Sequence, residues 1–139
     1  VSLPATISTH SPKVRDNIDA RFNDITQGIG TVFGGEVKLD YQRRYPPQIN
    51  DPALVRAILP ALQSVYGEAG VDTEFAPSMG GEDFAFMSEK VPGVYMQVGL
   101  GDEGLTAQLH NPGFDFNDLG LAYAARTFAA IVQERLPLN

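Results

Sequence analysis

Two adjacent prolines constrain the architecture more than any other feature of the chain. Pro46 and Pro47 follow Tyr45; neither can donate to a sheet ladder, and each holds the residue before it in extended conformations. Any strand running up to Tyr45 ends there, so a domain boundary is expected at this point. With 10 prolines and 14 glycines among 139 residues, further breaks between elements follow. Folded-surface scaling for this chain length predicts about 7,000 Å² exposed out of roughly 22,000 Å² for the extended chain. That leaves room for one compact domain or two small halves.

Before the prolines, residues 2 to 9 read as a strand, and Ser11-Pro12 is a strong helix start, with a hydroxyl to accept an orphan amide and Pro at the first helical position. Val14, Ile18, Phe22, Ile25 and Ile29 recur at helical spacing and form one apolar stripe, opposite Lys13, Arg15, Asp16, Asp19, Asn23 and Asp24. Gly34-Gly35 should stop the helix. Val37, Leu39, Tyr41, Arg43 and Tyr45 then alternate with Glu36, Lys38, Asp40, Gln42 and Arg44 as in a strand with one wet face. The pattern predicts a β-α-β half-unit over residues 2 to 45, and an α/β fold class.

After the prolines, Asn50-Asp51-Pro52 opens a second predicted helix whose stripe is Leu54, Val55, Ile58, Leu59, Leu62, Val65 and Tyr66, with a kink expected at Pro60. Short strands are expected at 71 to 75 and 94 to 98, and a short helix from about Glu82 to Glu89. A loop from Gly99 to Asp115 is long enough to suggest function. The last helix, starting near Asn117 or Asp118, should bury Leu121, Ala125, Phe128, Val132 and Leu136 before Pro137 ends it.

Composition excludes several classes. Acidic side chains outnumber basic ones 17 to 10, for a formal charge of −7, so no nucleic-acid partner is expected. With no cysteine, thiol nucleophiles, disulfides and cysteine-built zinc sites are impossible, and metal chemistry must use His and carboxylates. No apolar run reaches the roughly 20 residues that span a bilayer, so the chain reads as cytoplasmic, without a membrane partner.

Few residues remain that could carry chemistry. His110 lies at the end of the long loop, where one ring nitrogen could bind a metal while Asp115 or a carbonyl orients the other; a loop histidine taken alone is more often a surface residue. His10, at a strand-to-helix junction without an adjacent carboxylate, reads as an exposed turn residue. Gly80-Gly81 before a helix could let a carboxylate substrate approach free amides; equally, Glu82 and Asp83 could satisfy those amides themselves. The glycine-rich run Gly99 to Gly104 opens no helix and carries Asp102 and Glu103 where phosphate would sit, so it reads as a loop. Ser64, Ser78 and Ser88 lack a nucleophile motif.

Taken together, Met79-Gly80-Gly81-Glu82-Asp83-Phe84, Pro92-Gly93-Val94-Tyr95 and Leu109-His110-Asn111-Pro112-Gly113-Phe114-Asp115-Phe116-Asn117-Asp118 resemble the C-terminal part of the metal-dependent amidohydrolases of the hippurate hydrolase, aminoacylase and indole-acetyl-amino-acid hydrolase type. Thr6 to Asp16 and Tyr45 to Asp51 resemble the second half of that family's lid domain and its return to the catalytic domain. The resemblance implies the second half of a ferredoxin-like lid or dimerisation domain over residues 1 to 46, followed by the C-terminal part of an α/β metallo-hydrolase domain over 47 to 139. It implies His110 as the last metal ligand, Gly80 and Gly81 beside the substrate, and Glu82, Asp83 and Asn111 in supporting or structural roles. A complete centre would hold two divalent metals (Zn, Mn, Co or Ni), act on N-acyl amino acids or similar small amides, and belong to a homodimer. Ser8 stands where many relatives carry an Arg that can hold a substrate carboxylate.

The family's other metal ligands, its adjacent Glu pair with the general base and its lid histidine precede the matched segment. The chain, which begins at Val1 in what reads as a strand, is therefore expected to be a segment of a longer enzyme and inactive alone. A ferredoxin-like lid has strand order 4-1-3-2, so its two strands expected here would not be neighbours.

Overall fold

The computed structural model describes residues 1–101, 104 and 107–136. Its helices are α1 (Pro12–Phe33), α2 (Pro52–Tyr66), α3 (Phe84–Ser88) and α4 (Leu119–Arg135), with a single 3₁₀ turn at Glu68–Gly70. The chain divides into two units, Val1–Ile49 with Pro77–Pro92 and Asn50–Ala76 with Gly93–Asn139. Asp102, Glu103 and Pro137, which entered the sequence reading, lie outside the described residues.

In the first unit, α1 starts and stops where its caps dictate. The Ser11 hydroxyl accepts from the Val14 amide at 3.5 Å and Pro12 occupies the first turn. Gly34 ends the helix in the left-handed conformation, φ 66°, which an L side chain enters only at a cost. The polar face of α1 holds the following segment. Arg43 donates through two nitrogens to one Asp19 oxygen, at 3.0 and 2.8 Å, and reaches Asp16 at 2.6 Å. These bonds, Asp19 first and Asp16 second, raise the Arg43 guanidinium above its ordinary pKa. Arg15 donates to the Arg44 carbonyl at 3.3 Å. The apolar stripe is not covered: no residue of α1 is buried, and Val14, Phe22, Ile25 and Ile29 stay exposed.

The second unit is built on α2 against α4. Asp51 caps α2, its carboxylate accepting from the Ala53 and Leu54 amides at 2.9 and 2.8 Å, and Pro60 lies inside an unbroken helix. Ile58 and Ala61 of α2 and Thr127 of α4 are buried. Tyr66 stacks on Tyr123, ring centroids 5.8 Å apart, and its hydroxyl lies 2.7 Å from that of Thr127, which donates to the Tyr123 carbonyl at 2.8 Å. The face of α4 turned to α2 therefore includes Tyr123 and Thr127. The predicted stripe is a correction: Leu121, Phe128, Val132 and Leu136 are exposed. Much of α4's circumference is apolar or small, so periodicity alone could not choose its packed face.

The strands expected at 2–9, 37–45, 71–75 and 94–98 do not form; among the described residues there is no strand. Alternation and β-branching make a segment fit for a sheet, but a strand exists only through ladder bonds to another. The half-unit predicted over 2 to 45 is here a helix with unladdered flanks, and the α/β character expected of both parts is not seen. At 94–98 a side chain replaces a strand partner. The Asn50 carboxamide donates to the Tyr95 carbonyl at 2.9 Å and accepts from the Tyr95 amide at 2.8 Å, while the Asp51 amide bonds the Gly93 carbonyl at 3.0 Å.

Candidate functional site

The Gly80–Gly81 segment belongs to the first unit, where it leads into the short α3. A Cβ on Gly81 would come within 2.9 Å of the Tyr45 ring, and the same ring lies 5.8 Å from Phe86 of α3. Gly81 thus lets the turn lie flat on an aromatic side chain, the close approach that glycine permits. Below it, Ser88 donates to the Gln48 carboxamide oxygen at 2.8 Å. Tyr45 and Gln48, read from sequence only as a strand end and a linker, are two holdfasts of α3. The one available signal was their place on either side of a rigid Pro-Pro pair.

Glu82 accepts from the Phe84 amide at 3.2 Å, so that donor is occupied by the chain's own carboxylate. Asp83, at the start of α3, makes no capping hydrogen bond and is exposed. With five residues, α3 has little dipole to offer an anion.

His110 and Asn111 lie in the second unit. Two consecutive turns build their segment. The Asn111 amide bonds the Gln108 carbonyl at 3.1 Å and the Phe114 amide bonds the Asn111 carbonyl at 2.9 Å, so Asn111 closes one turn and opens the next. Asn-Pro-Gly-Phe suits the second turn, with Asn first and Pro next. His110, third in the first turn, has φ 68° and is the only non-glycine residue with positive φ among those described. That is the type II position, which usually takes glycine; for histidine it costs on the order of 1 kcal/mol. The imidazole sits on exposed chain. Farther on, the Asp115 carboxylate accepts from the Phe116 amide at 2.8 Å, and the Asn117 carboxamide, not Asp118, accepts from the Leu119 amide at 3.0 Å at the start of α4.

Among the described residues no three His, Asp or Glu side chains gather as ligands, whereas a catalytic zinc takes about three protein ligands and a water. The described donors do not fit a complete centre. His10 is exposed beside the cap of α1. No helix among the described residues is long and apolar enough to cross a membrane.

Comparison with known proteins supplies what local geometry does not. The model of peptidase family M20/M25/M40 matches residues 5–134. "Putative glutamate--cysteine ligase 2-3" of Rhodococcus jostii is 37% identical over 132 residues, 94% of this chain and 16% of that protein. The N-acetyldiaminopimelate deacetylase of Limosilactobacillus fermentum is 36% identical over 110 residues, 78% of this chain and 27% of its own. "Putative amidohydrolase YhaA" of Bacillus subtilis is 28% identical over 130 residues, 91% of this chain and 32% of its own. The chain thus spans a third or less of the length of these relatives, and the ligase name attaches to a protein of which it covers only 16%. No solved structure gave a significant match. Members of the matched family are generally dependent on divalent metal. Matched by the family model over residues 5–134, nearly its whole length, the chain belongs to peptidase family M20/M25/M40, a family of hydrolases.

Proposed function

We propose that this chain is the C-terminal part of a metal-dependent amidohydrolase that cleaves N-acyl amino acids or similar small amides, and that it turns over no substrate alone. The observation carrying the reading is the family match over 5–134, together with relatives named amidohydrolase and N-acetyldiaminopimelate deacetylase. In this reading residues 1–46 are the second half of the lid domain and 47–139 the end of the catalytic domain. The parent is a cytoplasmic homodimer that takes a small-molecule substrate.

Each matched residue has a limited task. His110 offers one imidazole nitrogen to a divalent ion, one of the roughly three protein donors such an ion needs. Gly80 and Gly81 stand beside the substrate in this reading, with Gly81 resting on the Tyr45 ring. Glu82 holds the Phe84 amide and so fixes the start of α3, and Asn111 shapes the loop that carries His110. The general base and the remaining ligands come from outside the described residues.

Metal analysis and hydrolysis of N-benzoyl and N-acetyl amino acids, with Zn²⁺ or Mn²⁺ added, test the proposal. Less than one tightly held metal per chain and no turnover are expected; two tightly bound ions per chain with turnover overturn it. The uncovered stripe of α1 favours a second reading, a non-catalytic dimerisation module. A stable dimer that resists dilution in sedimentation, with no metal bound, selects that module.

A further inference from the structure

We propose that Asn111 is a positioning residue for His110: its side chain locks the double turn that holds the histidine backbone left-handed, and so sets where the imidazole is presented. The inference rests on the reading of His110 as a ligand, and it assigns to Asn111 a specific task.

Every polar group of Asn111 that the turn can use is engaged. Its amide closes the turn from Gln108 at 3.1 Å and its carbonyl opens the turn to Phe114 at 2.9 Å. Its side-chain oxygen accepts from the Gly113 amide at 2.9 Å. The two backbone bonds are available to any residue; the third needs a short side chain with an acceptor, as Asn and Asp provide. A Cβ at Gly113 would stand 3.4 Å from that oxygen, so the turn closes tightly around the carboxamide. Pro112 fixes its own φ near −65° and removes one degree of freedom between the bonded pair. His110 precedes this clamp directly, at φ 68°. Histidine enters the left-handed region more readily than most side chains but does not prefer it, so a neighbouring constraint is needed to keep it there.

The experiment compares Asn111→Ala and Asn111→Asp in the full chain by NMR, reading the couplings and NOEs that report φ at His110 and the hydrogen exchange of the Gly113 amide. Asn111→Ala should let His110 leave the left-handed region and speed Gly113 exchange about fivefold, the loss of one ordinary hydrogen bond. Asn111→Asp keeps the acceptor and should restore both. Coupling between two substitutions in the unfolding midpoint adds a readout that a hydrogen bond independent of His110 would not move. His110→Gly should raise the midpoint by about 2 °C in the wild-type background, where it relieves the left-handed histidine, and should not raise it beside Asn111→Ala. An unchanged φ and exchange rate in Asn111→Ala, failure of Asp to rescue, or the same His110→Gly effect in both backgrounds overturns the proposal. Zn²⁺ alone, titrated against the two histidine side chains, tests the underlying reading separately. A preferential response of His110 over His10 supports the ligand role, and equal responses overturn that role while the backbone measurements still decide what Asn111 does.

Discussion

Helices α1 and α2 each carry one apolar stripe but reach opposite circumstances. In α2 the stripe meets another helix, and Ile58, Ala61 and Thr127 are shut away from water. In α1 the stripe meets nothing sufficient, and even Phe22 and Ile25 keep 37% and 51% of their surface exposed. The difference separates two things that periodicity tends to merge. A 3.6-residue repeat states that a face requires cover; whether cover exists depends on chain far away in sequence. The part of the first unit built on α1 accordingly relies on caps and on the Arg43 carboxylate pair, its buried Ala85 lying in α3, whereas the second has its small interior between two long helices.

Core truncation should expose this difference most strongly. Ile58→Ala is expected to cost about 2 to 4 kcal/mol in urea unfolding, while Phe22→Ala, on the uncovered stripe, should cost less than about 1 kcal/mol; equal costs would mean that α1 has a partner in solution. A smaller effect tests the polar part of the same interior. Thr127→Val removes the hydroxyl that meets Tyr66 and the Tyr123 carbonyl, and should lower stability by about 1 kcal/mol with little change in helical circular dichroism. Smallest of all, Arg43→Ala should lower the unfolding midpoint slightly in dilute buffer and not in 1 M salt, because its partners are solvent-exposed and screened. A loss that persists in high salt would show that the pair holds the first unit together more firmly than its exposure implies.

Local signals were legible from the residues and long-range ones were not. Ser11-Pro12, Asp51-Pro52 and Gly34 marked helix ends correctly because capping is decided within a few residues. The segments at 2–9 and 37–45 have strand composition, but pairing is a property of two segments, and neither finds a ladder here. Leu121 and Phe128 read as interior because α4 is apolar on more than one side; Tyr123 and Thr127, meeting Tyr66 through a ring and a hydroxyl, face α2 instead. At the site, the family resemblance picked out His110, yet its left-handed backbone was hidden. Histidine does not announce positive φ as glycine does, and the clue lay one residue later, in the turn-forming Asn-Pro-Gly.

The dipeptide Asn50-Asp51 has a consequence for how this chain tolerates change. One residue grips Tyr95 with its carboxamide, and the next caps a helix with its side chain while its amide holds Gly93. A single extra residue inserted between them would shift the helix start relative to the grip and put both out of step at once. This joint is fixed in spacing as well as in composition, and a substitution on either side is easier to accommodate than a change in length.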